Sequence, residues 1–120
     1  MPHDPADPCS FLPLPTAMFH ILVALADRDS HGYSIMQDVA SRTDGKVRLR
    51  AGTLYSSIRR MLEAGLLEEL REIPDSGSRD ERRRYYRLTT FGRRVAMAEA
   101  KRLTEMLSHA REAGLISKKL

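Results

Sequence analysis

Apolar side chains recur at helical spacing along most of the chain and predict several helices separated by polar breaks. Residues 17–27 are apolar almost all round, so the first helix, with Thr16 as its N-cap, is expected to be buried on more than one side. A second helix is predicted over 32–41, where either Asp29 or Ser30 can cap the start. The surplus of apolar surface on the first helix suggests a partner chain.

Turn signals and short alternating segments predict a small sheet beyond the second helix. The Asp-Gly pair at 44–45 ends that helix, and apolar and basic residues alternate over 47–50 as in a very short strand. Segments 66–73 and 83–89 predict the two strands of a hairpin. The turn-forming residues at 74–78 connect them.

The third helix, predicted over 52–64 and ended by Gly65, has two clearly different faces. Its apolar stripe consists of Leu54, Ile58, Met61 and Leu62. The opposite face carries Thr53, Ser56, Arg59, Arg60 and Glu63, with Tyr55 on the flank. Arginine can donate two hydrogen bonds to the acceptor atoms of guanine, and small hydroxyl side chains allow a helix to lie close to the base edges in a groove. This outer face therefore suits a helix that reads the base edges of duplex DNA.

A final long helix is predicted from Thr89 or Thr90 to about Ala113, with Gly114 as its cap. Its apolar stripe consists of Ala96, Ala100, Leu103, Met106, Leu107 and Ala110. Because this helix follows the hairpin of a small domain, packing against a second copy of the chain is the simplest way to cover the stripe. Folding back onto the first helix of the same chain is the alternative.

Length and composition exclude several classes of protein. The 120 residues suffice for one domain, and 42% hydrophobic with 30% charged residues is not the composition of a disordered chain. The single cysteine, Cys9, cannot form an intrachain disulfide, and the longest apolar stretch, 17–26, is too short to cross a bilayer. Residues 1–15 hold five of the 6 prolines and no Lys or Arg, so we expect a flexible arm rather than a signal peptide. A cytoplasmic protein is expected.

The charge distribution points to a polyanionic partner. The chain has 20 Lys and Arg against 16 Asp and Glu, a net charge of +4. Segments 42–60 (six basic, one acidic) and 79–94 (seven basic, two acidic) each carry +5, which leaves −6 for the remainder. The sequence has no phosphate-binding glycine loop, metal-ligand spacing or nucleophile motif. We therefore expect neither enzyme activity nor a metal or cofactor.

The predicted order of three helices followed by a hairpin is that of a winged helix-turn-helix. Four motifs occur in that order, namely His31-Gly32-Tyr33, Gly52-Thr53-Leu54-Tyr55, Leu62-Glu63-Ala64-Gly65-Leu66-Leu67, and Arg84-Tyr85-Tyr86-Arg87-Leu88-Thr89 with Gly92. Together they resemble the signature of PadR-like transcriptional regulators over about residues 16–108. The fold expected is mainly α with a small β-hairpin, a winged helix-turn-helix plus a long C-terminal dimerisation helix.

The resemblance implies a homodimer that represses a promoter until a small molecule, often an aromatic compound, or a stress signal relieves it. The domains expected are a flexible arm (1–15), the winged helix-turn-helix (16–89), the dimerisation helix (90–114) and a tail (115–120). The interface residues expected are Phe19, Leu22, Val23, Ala96, Ala100, Leu103, Met106, Leu107 and Ala110. An aromatic effector would meet apolar walls at that interface, formed by Phe19, Val23, Met97, Leu103 and Met106, although ordinary packing also explains these residues.

The DNA contacts expected on and beside the third helix are Lys46, Arg50, Thr53, Tyr55, Ser56, Arg59 and Arg60, and those in the wing are Arg79, Arg82, Arg83 and Arg84. Thr53, Ser56 and Arg60 would face the groove. Tyr55 would contact a phosphate or else pack half-buried. Lys46, Arg50 and Arg59 would be phosphate contacts or solvated charges. The wing arginines would neutralise phosphates or enter a minor groove. The acidic pair at 80–81 departs from the basic wings of the family and argues against deep insertion. The alternative function, a winged-helix protein-interaction module without DNA binding, would favour apolar residues on the outer face of the third helix.

Overall fold

The computed structural model describes residues 7–70 and 84–117, which form four α-helices and a small antiparallel sheet. The helices are α1 (Thr16–Asp27), α2 (Gly32–Arg42), α3 (Ala51–Glu63) and α4 (Thr90–Glu112). The strands are β1 (Ser30–His31), β2 (Leu67–Leu70) and β3 (Tyr85–Leu88), in the spatial order β1-β3-β2. The predicted fold class, mainly helical with a small sheet and a long C-terminal helix, is confirmed. Residues 71–83, including the predicted turn at 74–78, lie outside the described part.

Helix α1 lies at the centre of the core and is buried on more than one side, as its composition predicts. Ile21 and Leu22 have no exposed surface, and α1 contacts α2, α3, α4 and β3. The predicted N-cap is wrong by one residue. Pro15, with extended backbone angles (φ −55°, ψ 141°), occupies the cap, so Thr16 is already the first helical residue.

The start of α2 is capped by a residue that sequence analysis did not select. His31 Nδ1 accepts a hydrogen bond from the Ser34 backbone N–H at 3.2 Å, so neither Asp29 nor Ser30 is the cap. The physical reason is the sheet: Ser30 pairs with Tyr86 of β3, which keeps the chain extended for longer before the helix begins. The prediction failed because this pairing joins residues far apart in sequence.

The connection between α2 and α3 is a turn rather than the predicted strand. Asp44 (φ 52°) and Gly45 (φ 78°) adopt left-handed backbone angles, which confirms that this pair ends α2. Segment 47–50 forms no strand. The Val47 N–H donates to Thr43 Oγ1 at 3.0 Å, and β3 already has β1 on one side and β2 on the other. The side chains of segment 47–50 still alternate between half-buried and exposed positions.

A tight joint holds the end of α3 against the start of α4. Gly65 (φ 78°) ends α3 as predicted, and the Leu66 N–H donates back to the Met61 carbonyl at 2.9 Å. Thr89 Oγ1 accepts from the Gly92 N–H at 2.9 Å and caps α4, which confirms the predicted start of this helix. A Cβ at Gly92 would overlap the Leu66 carbonyl, so only glycine permits this close approach.

The N-terminal arm is packed against the domain over its described residues, contrary to the expectation of a flexible extension. Residues 8–11 form a short 3-10 helix, and the Phe11 ring meets the Phe91 ring of α4 edge-on, with centroids 5.7 Å apart. The Leu14 N–H donates to Glu99 Oε2 at 2.9 Å, and the Leu14 side chain is buried. Prolines prevent a long helix here, but they do not prevent apolar side chains from packing on α4.

Helix α4 divides into a buried half and an exposed half. Val95 and Glu99 are almost completely buried where the helix contacts α1 and the arm. In this half the last helix therefore packs on α1 of the same chain, which was the alternative to packing against a second copy. Met106 and Leu107 in the second half are 54% and 51% exposed. The apolar stripe therefore continues beyond the part that the same chain covers.

Candidate nucleic-acid interface

Helix α3 buries its predicted apolar stripe and presents the opposite face to solvent. Leu54, Ile58 and Met61 are at most 2% exposed. The outward side chains of Thr53, Ser56, Arg59 and Arg60 are exposed. The helical period thus separates an apolar anchor from a surface of hydroxyl groups and cations, with the exposed carboxylate of Glu63 at its C-terminal end.

The cations of this surface are not neutralised by neighbouring carboxylates. Within residues 7–70 and 84–117, no ion pair includes Lys46, Arg50, Arg59 or Arg60. Other arginines differ. Arg42, for instance, donates to Asp38 at 2.7 Å, and this hydrogen bond raises its pKa. The α3 surface therefore keeps its positive charge available for an anionic partner.

Tyr55 packs against the start of α2 while part of its side chain stays exposed. Its side chain is 46% exposed, and its ring lies against Gly32, the first residue of α2. A Cβ at Gly32 would overlap the Tyr55 hydroxyl, so glycine makes room for this contact. The tyrosine thus links α2 to α3 and still exposes part of its surface beside the outer face.

One exposed cation of this region was missed in the sequence. Lys46, Arg48 and Arg50 are all exposed and alternate with half-buried Val47 and Leu49. The same alternation that predicted a strand could have assigned Arg48 together with its two neighbours. The three cations lie in the connection that leads into α3.

The wing is described only at its base. Arg84 lies before β3, and its Nη1 is 3.5 Å from Glu69 Oε1, so its charge is partly compensated. Arg79, Arg82 and Arg83, and the acidic pair at 80–81, lie outside the described residues. Tyr86 of β3 is 3% exposed and belongs to the core, where burial raises the pKa of its hydroxyl.

The expected dimer surface is only partly available in a single chain. Leu22, an expected interface residue, is completely buried within its own chain and is therefore a core residue rather than an interface residue. Phe19 and Val23 are half-buried, and Ala100, Met106 and Leu107 are exposed. Met97 and Met106 of the expected effector walls are 65% and 54% exposed.

Within residues 7–70 and 84–117, no helix is long and apolar enough to cross a membrane. The same segments contain no group of three His, Cys, Asp or Glu side chains placed to hold a metal ion.

Three helices, a small antiparallel sheet and an exposed basic face on the third helix define a winged helix-turn-helix protein of the DNA-binding class. Residues 21–98 match the Transcriptional regulator PadR-like family. The chain belongs to this family of transcriptional regulators.

Solved structures show the same fold. A transcriptional regulator from Clostridium thermocellum is 25% identical with a TM-score of 0.68, and the match covers 80% of this chain and 87% of that one. A PadR family transcription regulator from Clostridium difficile is 22% identical with a TM-score of 0.68 over 82% of this chain and 97% of that one.

An uncharacterized protein from Lysinibacillus sphaericus is 30% identical over 74 residues, 61% of this chain and 64% of that protein. The chain therefore spans less than two thirds of that relative.

Proposed function

We propose that the protein is a homodimeric repressor that binds a promoter operator through α3 and is released by a small molecule or a stress signal. The observation that carries the DNA-binding half is the outer face of α3, where exposed hydroxyl groups and arginines have no carboxylate partner among the described residues. Thr53, Ser56 and Arg60 enter the major groove. Lys46, Arg50, Tyr55 and Arg59, with the wing arginines, contact phosphates.

The exposed half of α4 supports the homodimer. A stripe that includes Met106 and Leu107 is half exposed in one chain, and burying it against a second copy removes apolar surface from water. A two-fold dimer presents two copies of α3 to successive major grooves. Half-site centres are then about one helical turn, ~34–36 Å, apart.

A salt titration tests the DNA-binding half. Fluorescence anisotropy would measure the affinity for duplex DNA from the region upstream of the gene and for a shuffled duplex of equal length. We expect a preference for the upstream duplex and a linear fall of log affinity with log salt, because phosphate contacts release counterions. A flat dependence, or equal affinity for both duplexes, would contradict the proposal.

Two neighbouring arginines separate the assigned roles. Arg60→Ala is expected to weaken the binding free energy for the upstream duplex by roughly 1–3 kcal/mol. It should also reduce the protein's preference for the upstream duplex over the shuffled one. Arg59→Ala should weaken binding to both duplexes alike. It should also lower the steepness of the plot of log affinity against log salt by about one. If both variants lowered both affinities equally, Arg60 would not be a base contact.

The composition of the outer face also disfavours the protein-interaction alternative. A module that docks a protein through α3 would bury apolar side chains in the centre of the interface. Thr53, Ser56, Arg59 and Arg60 offer polar and cationic groups instead. We therefore retain DNA as the partner of this surface.

A further inference from the structure

The connection between α2 and α3 presents a row of cations beside the face assigned to DNA. Lys46, Arg48 and Arg50 form this cation row, and all three are exposed. Val47 and Leu49, which alternate with them, pack half-buried against the core. No ion pair within the described residues includes a member of the cation row. The connection therefore has an apolar side that anchors it and a positively charged side that faces solvent.

One hydroxyl group ties this connection, residues 43–50, to the end of α2. Thr43 Oγ1 donates to the Val39 carbonyl at 2.9 Å and accepts from the Val47 N–H at 3.0 Å. The Lys46 N–H donates to the Thr43 carbonyl at 3.0 Å. Because these bonds order the backbone before a partner arrives, the connection loses less conformational entropy on binding.

Arg48 is held across the turn that ends α2. A Cβ built at Gly45 would lie 3.0 Å from Arg48 Nη2 and 3.7 Å from its Cζ, so the guanidinium lies over this glycine. Asp44, the carboxylate of the same turn, is exposed and makes no ion pair within the described residues. The charge of Arg48 is therefore placed by the turn and remains available to an anionic partner.

The cation row leads directly into the N-terminal end of α3. Arg50 has extended backbone angles (φ −81°, ψ 151°) and occupies the N-cap of this helix. The N-terminal residues of a recognition helix contact base edges, so the residues that precede it lie where the groove meets the sugar-phosphate backbone. Alternate residues of an extended chain are about 6.6 Å apart. Successive phosphates of one DNA strand have a similar spacing, so the row fits a run of neighbouring phosphates.

We propose that connection 43–50 is a separate element of the DNA interface, in which Arg48 joins Lys46 and Arg50 on neighbouring phosphates of one strand. Thr43 is the positioning residue that holds the cation row in place. Phosphates carry no sequence information, so this element contributes affinity and orientation without base preference. The inference rests on the proposed function, and it adds Arg48 and Thr43 to the residues assigned there.

Removing the charge of Arg48 tests the phosphate contact. Arg48→Gln should weaken binding to the upstream and the shuffled duplex alike, by roughly threefold, as expected for an exposed ion pair. It should also lower the steepness of the plot of log affinity against log salt by about one, because one counterion fewer is released. Lys101→Gln removes the same charge from an exposed position of α4 and should change neither the affinity nor the steepness. Equal effects of the two variants, or a loss confined to the upstream duplex, would overturn the phosphate contact.

Two substitutions at Thr43 test its positioning role. Thr43→Val keeps the branched shape and removes the hydroxyl, so it should weaken both duplexes and lower the steepness of the salt plot, because the cation row is no longer held at the phosphates. Thr43→Ser keeps the hydroxyl and should bind like the wild type. Circular dichroism at the assay temperature measures whether each variant is folded. A Thr43→Val variant that unfolds, or that folds and keeps the wild-type steepness, would overturn the positioning role.

The wild type decides the proposed function separately. If it bound the upstream duplex no better than the shuffled one, the proposed regulator would fail, while the Arg48 comparison on either duplex would still decide the phosphate contact. If it preferred the upstream duplex and Arg48→Gln behaved like Lys101→Gln, only the inference drawn from the connection would fail. A wild type that bound neither duplex would overturn both.

Discussion

At the residue scale, Glu99 is the polar group on which the position of the arm depends. Its side chain is 2% exposed, and its Oε2 accepts from the Leu14 N–H and from Arg102 Nη2, at 2.9 and 3.1 Å. The Arg102 hydrogen bonds lower the pKa of Glu99 below its ordinary value of 4.5, although burial opposes them. A buried carboxylate is retained here because both of its oxygens are bound.

Glu99→Gln is expected to reduce the free energy of unfolding by roughly 1–3 kcal/mol at pH 7, because the charged hydrogen bonds to Arg102 are lost. The folded-state pKa of Glu99 is lowered, so the carboxylate contributes its stability above pH 4.5 and loses it as the pH falls through the lowered value. Urea unfolding followed by circular dichroism should therefore show a gap between wild type and variant that narrows below pH 4.5. A gap that is constant with pH would contradict this role.

At the scale of elements, the arm and α4 stabilise each other. Phe11 and Phe91 form an edge-on aromatic pair, a geometry that contributes about 0.5–1.5 kcal/mol beyond the area buried. The arm is therefore part of the folded domain over its described residues. Its anchoring depends on side chains 80 or more positions away in sequence, as the Leu14–Glu99 bond illustrates.

Phe11→Ala should lower the free energy of unfolding by about 2–3 kcal/mol, since the aromatic contact and part of the apolar burial are lost. Cys9→Ser, at an exposed position in the same 3-10 helix, is the matched control and should leave stability within about 0.5 kcal/mol. Chemical unfolding of both variants would measure the difference. An arm that did not pack in solution would give equal stabilities for the two.

The elements also indicate what a sequence can and cannot predict. Helical periodicity predicted α3 to within one residue at each end, and Gly65 and Thr89 were assigned from local chemistry alone. The cap at His31 and the packed arm were not predicted, because each depends on pairing with a distant segment, β3 or α4. Sequence patterns report the local period well, but they do not report which distant groups satisfy a given backbone atom.

The same distinction applies to the candidate site. The outer face of α3 follows from the 100° rotation per residue and was predicted correctly as an exposed face. Leu22 was assigned to the interface because apolar patterning cannot separate residues covered by the same chain from residues covered by a second one. A cavity beside Arg60 needs the folded arm as a wall and had no counterpart in the sequence pattern.

At the scale of the whole molecule, the proposed dimer depends on the exposed half of α4. Leu107→Glu places a charge in the centre of the exposed stripe and should convert the proposed dimer to a monomer at micromolar concentration, because burying an unpaired carboxylate is costly. Ser108→Glu adds the same charge next to it on a different side of the helix and should remain dimeric. Light scattering distinguishes the two, and a monomeric wild type would contradict the assembly.

The central claim is that the outer face of α3 contacts duplex DNA, and a charge placed on that face tests it most directly. Ser56→Glu puts a carboxylate among Thr53, Arg59 and Arg60, and repulsion from phosphates should weaken binding to the upstream duplex at least about tenfold. Ser108→Glu adds an identical charge on α4 and should bind that duplex like the wild type. Equal affinity of Ser56→Glu and Ser108→Glu, measured by anisotropy at one salt concentration with both variants folded, would contradict the claim.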